Sequence, residues 1–290
     1  MGSLDGRIAI ITGAGRGLGR AHARLFAAEG ARVVVNDLGD DDGHDAAAEV
    51  VDELRAAGGE AVANHDDVTD WEGGRRLVAT AVDHFGGLDV LVNNAGILRD
   101  RALVNMSEDE WDQVTTVHLK GHFVPTRWAA NYWRDQSKAG APRRASIINT
   151  SSTSGLLGNP GQTNYGAAKA GVAAFSSICA QELSRYGVRS NCVVPAARTR
   201  LTEATPGLSE MVAAPGDGAG FDVWDPANVS PIVAYFAAGE TEANGRTVFV
   251  QGGTIRLMEG WGFTSSMERE ARWSIDDLVD AFPTLATKGA

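Results

Sequence analysis

Ile8-Ala9-Ile10-Ile11-Thr12-Gly13-Ala14-Gly15-Arg16-Gly17-Leu18-Gly19 is the stretch that decides the fold. Its first five residues are β-branched or small and apolar, as a buried strand requires. Glycines then interrupt the run, and an amphipathic helical pattern follows from 18 to 29. Strand, glycine turn and helix in that order suit a phosphate. Glycines allow a tight turn and close approach of a pyrophosphate to the helix N-terminus, where free N–H groups and the dipole favour an anion. The strict G-x-G-x-x-G fingerprint fails at Leu18, and the wider Gly13-x-x-x-Gly17-x-Gly19 spacing fits instead.

The same alternation continues along the chain. Strand-like runs stand at Ile8–Thr12, Val33–Asp37, Glu60–His65, Val90–Asn93, Ser146–Thr150, Ser190–Val194 and Thr247–Gln251. Helical patterns lie between them near 18–29, 44–57, 71–85, 108–136, 164–186 and 227–238. Gly30, Gly58, Gly86 and Gly187 fall where helix ends need a left-handed residue. Strands alternating with helices imply βαβ units and an α/β fold with a parallel sheet covered on both faces. Residues 1–253 read as one domain and 254–290 as a C-terminal extension.

Composition narrows the function. A net charge of −11 argues against nucleic acid or an anionic membrane surface as the main partner. Cys179 and Cys192 have no metal or redox spacing and read as buried thiols in a reducing compartment. No apolar signal core or run of transmembrane length is present, so a soluble cytoplasmic protein without membrane contact is expected. No metal site is expected either. The acidic run Asp40–Asp42 matches no calcium loop and reads as a solvated loop.

Chemistry-bearing residues gather at the C-terminal ends of these strands, the edge where open α/β sheets hold ligands. Asp37 closes the second strand about twenty residues past the glycines. A carboxylate there can accept both ribose hydroxyls of NAD and repels a 2′-phosphate, whereas Arg16 could pair with that phosphate. The balance favours NAD. Asp67-Val68 follows the third strand and Asn93-Asn94-Ala95-Gly96 the fourth. Downstream, Tyr165 and Lys169 lie four apart on a helical pattern and so share a face, with Ser152 thirteen residues upstream of Tyr165 at a strand exit. A fixed ammonium a few ångströms from a phenol favours phenolate and moves it toward the working range for proton transfer.

These motifs together resemble the short-chain dehydrogenase/reductase family over about residues 5–253. The resemblance implies a seven-stranded doubly wound Rossmann sheet, a nicotinamide cofactor, and hydride exchange with a carbonyl or alcohol carbon. It makes Tyr165 the general acid/base, Ser152 the residue that positions substrate oxygen, and Lys169 the residue that binds the nicotinamide ribose. Gly13, Arg16, Gly17, Leu18, Gly19, Asp37, Leu38, Asp67, Val68, Asn94, Ala95, Gly96, Thr150, Pro195 and Thr199 would line the cofactor, with Tyr165 and Lys169. Val35–Gly39, Asn93–Arg101 and Val117–Gly121 are similar to the (3R)-hydroxyacyl-CoA dehydrogenase unit of peroxisomal multifunctional enzymes, a branch that also accepts hydroxysteroids. His118 stands where the wider family has Asn, whose backbone bends the helix, and it borders the expected proton relay. The Pro195–Thr199 segment is one residue short of the usual turn.

Residues 196–226, rich in proline and glycine, occupy the place of the family's substrate lid. Leu201, Leu208, Met211, Val212, Phe221 and Trp224 would give it an apolar inner face suited to an acyl chain or a steroid. Three readings stand: an NAD-dependent dehydrogenase of bulky apolar alcohols or ketones, an NADPH-dependent 3-oxoacyl reductase, and a non-catalytic nucleotide-binding protein. The family implies a homodimer or homotetramer. In the extension, Trp261, Phe263, Trp273 and Phe282 argue for order, and Ser274 with Asp277 reads as the N-cap of a short helix stopped by Pro283. That helix is expected to pack on a neighbouring subunit or its own.

Overall fold

Alternate residues of the central strands face opposite sides of one sheet, and each side has its own core. On β1 (Ile8–Thr12), Ala9 and Ile11 join one apolar cluster while Ile8 and Ile10 join the other. β2 (Arg32–Asn36) and β4 (Val90–Asn93) repeat the pattern, with Val33, Val35, Val90 and Val92 on the first side and Val34 and Leu91 on the second. Strands buried on both faces need continuous apolar runs, which is what the sequence carries. The computed structural model describes residues 2–287 apart from 40–42, 200–201, 203–211, 216–219, 261 and 264. The acidic loop Asp40–Asp42, the lid residues Leu201, Leu208 and Met211, and Trp261 lie outside the described residues.

The remaining strands are β3 (Glu60–Asn64), β5 (Ala145–Thr150), β6 (Val188–Pro195), β7 (Thr247–Gln251) and β8 (Thr254–Met258), giving the order β3-β2-β1-β4-β5-β6-β7-β8. Registers from β3 through β7 are parallel. The sheet is the expected Rossmann type with one strand more than the expected seven. Gly252, at φ +51°, and Gly253 turn the chain back on itself after β7. A two-residue connection can only join antiparallel neighbours, so β8 enters the sheet from within the residues assigned to the extension.

Helices α1 (Gly17–Ala28), α2 (Ala46–Ala56) and α8 (Ser230–Ala237) contribute to the first cluster, and α3 (Trp71–Phe85) and α5 (Gly121–Lys138) to the second. The four expected helix-end glycines all adopt positive φ, from +79° at Gly187 to +89° at Gly58. The periodic stretch from 108 is not one helix. α4 (Glu108–Thr115) opens with a Ser107/Glu110 capping box and gives way to a π turn, Thr116–Lys120, before α5. A wider turn swings its side chains off the α-helical face, and such turns recur at functional sites. α6 (Thr153–Leu156) and α7 (Thr163–Leu183) follow β5. Among the described residues no helix is long and apolar enough to cross a membrane.

The chain divides into two units, Met1–Leu257 and Met258–Ala290. The second holds α9 (Ile275–Thr287). Its start is as expected: Ser274 Oγ accepts the Asp277 N–H at 3.1 Å, and the Asp277 carboxylate accepts the Ser274 N–H at 2.9 Å. Its end is not. Pro283 lies inside the helix rather than stopping it. The ring removes one backbone bond at a cost of about 3 kcal/mol, and the turns on either side carry the helix through.

Candidate active site

The strand order reverses between β1 and β4, so the ends of β1, β4, β5 and β6 border one crevice. At β1, Gly13 and Gly17 take φ of +61° and +51°. A Cβ on Gly19 would lie 2.2 Å from the Gly13 carbonyl oxygen, and one on Gly13 would lie 2.8 Å from the Ala95 Cα. Asn94 clamps this turn from behind. Its side chain donates to the carbonyls of Thr12 and Gly13 at 3.0 and 3.1 Å, and Thr12 Oγ1 accepts the N–H groups of Asn94 and Ala95 at 2.9 and 3.1 Å.

α1 begins at this turn with Arg16 as N-cap, no side-chain cap and no acidic residue in its first turn. Its N–H groups and dipole therefore remain available to an anion. Together with a cradle that any Cβ would fill, this fits the pyrophosphate of a nicotinamide dinucleotide. Leu18 turns inward against the first core cluster. Asp37, just past β2, is brought onto the turn by the β1–β2 pairing, and its Oδ2 accepts the Gly15 N–H at 2.9 Å. Leu38 beside it is exposed. Asp67 Oδ1 accepts the Thr69 N–H at 2.7 Å in a local Asx turn, and Val68 is buried in the second cluster. Across the crevice, Pro195 ends β6, and the Thr199 methyl would lie 3.5 Å from a Cβ on Gly17. The shortened segment still reaches the glycine turn.

Ser152 caps α6, and Tyr165 and Lys169 project from α7 one turn apart. The structure brings the three together. Ser152 hydrogen-bonds the phenol of Tyr165, and the Lys169 ammonium lies 5.6 Å from its ring centre. Lys169 Nζ donates to the Thr150 carbonyl at 2.6 Å, while the Thr150 hydroxyl is buried without a partner among the described residues. Burial pushes the Tyr165 phenol up to about 12, with the Ser152 hydrogen bond pulling it down and Asp100 adding to the rise. Burial likewise pushes Lys169 down to about 7. This is the reverse of the phenol shift expected from the Tyr-x-x-x-Lys spacing. With Lys169 seated on a backbone carbonyl, desolvation of the phenol outweighs the ammonium's field.

His118 sits in the π turn with its ring edge-on to Tyr165 at 5.1 Å. Its Nε2 is 2.8 Å from the Ile97 carbonyl oxygen and 3.2 Å from the Ile97 nitrogen, contacts that need opposite tautomers; we assign the proton to Nε2 on the shorter one, which leaves Nδ1 buried and unpartnered among the described residues. Gly96 is small because of this ring: a Cβ there would come within 2.3 Å of His118 Cε1.

Sequence reasoning missed the support around the triad. Gln162, nearly buried, donates to Asp100 at 2.8 Å and accepts from Ser154 at 2.7 Å and Asn159 at 2.8 Å. It ties the segment after β4 to the loop that carries Ser152.

The short chain dehydrogenase family model matches residues 7–211. Hydroxyacyl-CoA dehydrogenase ChsB1 of Mycobacterium tuberculosis is 44% identical over 281 residues, covering 94% of this chain and 84% of that protein. Peroxisomal multifunctional enzyme type 2 of Drosophila melanogaster is 43% identical over 284 residues, covering 95% of this chain. The chain spans only 43% of that enzyme's length. The crystal structure of a short chain dehydrogenase from Mycobacterium avium superposes with a TM-score of 0.90 at 48% identity, covering 100% of this chain and 97% of that one. With the glycine turn, the uncapped helix and the Ser152–Tyr165–Lys169 cluster in place, the chain belongs to the short chain dehydrogenase family.

Proposed function

We propose that the protein is an NAD-dependent dehydrogenase that exchanges a hydride with a secondary alcohol or ketone on a bulky apolar substrate, of the 3-hydroxyacyl-CoA or hydroxysteroid class. The observation that carries the cofactor choice is the Asp37 carboxylate on the glycine turn, 2.9 Å from the Gly15 nitrogen. A charge there favours free ribose hydroxyls and repels a 2′-phosphate. The bound dinucleotide supplies the hydride acceptor or donor. This chain's residues do the rest: the α1 N-terminus holds the pyrophosphate, Asp67 and Val68 border the adenine, Ser152 orients the substrate oxygen, and Tyr165 exchanges its proton. The names of the relatives, a hydroxyacyl-CoA dehydrogenase and a multifunctional enzyme, support the substrate class. Arg16, at the same turn, is what favours the second reading, an NADPH-dependent 3-oxoacyl reductase. Exposed Phe123 on α5 and Ile178 on α7 support a homodimer or homotetramer that covers them.

A panel of 3-hydroxyacyl-CoA thioesters and hydroxysteroids, run with NAD and with NADP and read at the nicotinamide absorbance, tests the reading. Turnover with NAD on one of these classes is expected. Preference for NADP, or no turnover on either class, overturns it. Asp37→Ala should then weaken NAD about ten- to hundredfold, because hydrogen bonds to a charged group are worth roughly 1.5–3 kcal/mol. NADP should improve in the same variant. An unchanged NAD-to-NADP ratio would remove Asp37 from the ribose.

A further inference from the structure

We propose that Gln162 is a positioning residue for the reaction: acting through Ser154, it fixes the Ser152 hydroxyl that meets the substrate oxygen. The inference rests on the reading of Ser152 as the residue that orients that oxygen. Gln162 directly precedes α7 and is 7% exposed. Its amide makes three bonds at once. Nε2 donates to Asp100 Oδ2 at 2.8 Å, while Oε1 accepts from Ser154 Oγ at 2.7 Å and from Asn159 Nδ2 at 2.8 Å. A carboxylate only accepts, so Asp100 decides which way the amide faces and turns its oxygen to Ser154. Ser154 in turn donates its N–H to Ser152 Oγ at 3.2 Å. That contact occupies one lone pair of the Ser152 hydroxyl and leaves its proton for the Tyr165 phenol or a substrate oxygen.

Helix capping does not account for a glutamine here. Gln162 is the N-cap of α7, where Ser, Thr, Asp and Asn serve best, and its side chain makes no bond to the helix it caps. Its bonds all lead away from α7: to Asp100 after β4, to Ser154 in α6 and to Asn159 beyond it. The backbone closes the same junction. The Arg101 N–H donates to the Gly161 carbonyl at 2.8 Å, and Arg101 and Gln162 form a single parallel bridge. Asp100 Oδ1 is buried with no partner among the described residues, so the Gln162 amide is what holds this carboxylate. Ser154 needs an anchor because α6 is only four residues long, and so short a helix is held by its contacts rather than by its own bonds. Loss of the amide oxygen frees the Ser154 side chain, loosens its N–H from Ser152 Oγ and lets the Ser152 hydroxyl turn away from the reacting oxygen.

A double-mutant cycle between Gln162 and Ser152 in the full chain tests this. The reaction followed is reduction by NADH of 3-oxodecanoyl-CoA, or of a ketosteroid if the thioester is not turned over. Gln162→Leu should lower kcat about three- to tenfold, the worth of one ordinary hydrogen bond, and leave NADH affinity by calorimetry unchanged. Ser154→Ala, which breaks the link at its other end, should lower kcat by a similar factor. In a Ser152→Ala background Gln162→Leu should cost nothing further, because the hydroxyl it positions is gone. Should the leucine variant not fold, Ser154→Ala takes its place in the cycle. A loss of the same size with and without the Ser152 hydroxyl is what a merely structural glutamine would give, and it overturns the proposal. So does wild-type kcat in Gln162→Leu or in Ser154→Ala. A Ser152→Ala variant that turns over like the wild type, or a wild type that reduces neither substrate, removes Ser152 from the substrate oxygen and the inference with it.

Discussion

Tyr165→Phe is expected to lower turnover by about 10² to 10⁴, the usual contribution of a positioned proton donor, with NAD binding unchanged. The phenol is the group that Ser152 hydrogen-bonds and that His118 and Lys169 flank. Phenylalanine keeps the ring contacts and loses only the oxygen. Burial holds the phenol up at about 12 in the cofactor-free protein, so at neutral pH it is a proton donor, ready for ketone reduction. Alcohol oxidation needs the deprotonated form, and its rate should climb with pH. Initial rates in both directions, with NADH binding measured by fluorescence, check the assignment. Turnover near wild type in the phenylalanine variant would move the proton chemistry elsewhere.

The second large effect is on stability. Burial holds His22 down to about 3 and His118 and His122 well below the ordinary histidine value of 6.5. All three are almost wholly buried. The unfolded chain takes up these protons near pH 6.5 and the folded protein does not, so the unfolded state binds more protons below that pH. Their stabilisation is present above 6.5 and lost as pH falls. At one pH unit below it His22 costs on the order of 1 kcal/mol, and His118 and His122 add losses of the same sign, roughly a few kcal/mol together. That is a large part of a typical stability of about 5–15 kcal/mol. Denaturant unfolding at pH 7.5 and 5.5 measures the loss. His22→Gln, which can keep the bond to Ser230, should remove the His22 share of it. Equal stability at the two pH values would mean that these histidines titrate in the folded protein.

Local sequence determined the strands, most helices and the glycine turn. β1, β4 and β7 fall on the expected residues because a strand buried on both faces must be continuously apolar and bounded by turn residues. The four helix-end glycines were legible because only glycine takes positive φ without strain. Ser152, Tyr165 and Lys169 were legible because they sit at a strand exit and one turn apart on one helix, which places them by local geometry alone.

Only the tertiary structure decided what surrounds them. The π turn at His118 depends on Gly96, twenty-two residues away, leaving room for its ring. The eighth strand depends on an edge of β7 being open to receive it, and edge availability is a property of the sheet. The direction of the Tyr165 shift turned on desolvation, which the Tyr-x-x-x-Lys spacing does not carry, and on Lys169 reaching Thr150 rather than the phenol. Asp37 meets Gly15 through the pairing of β1 with β2. Sequence order places a side chain on an element and a face. Which other elements come within 3 Å of it is set by how the whole sheet twists and packs.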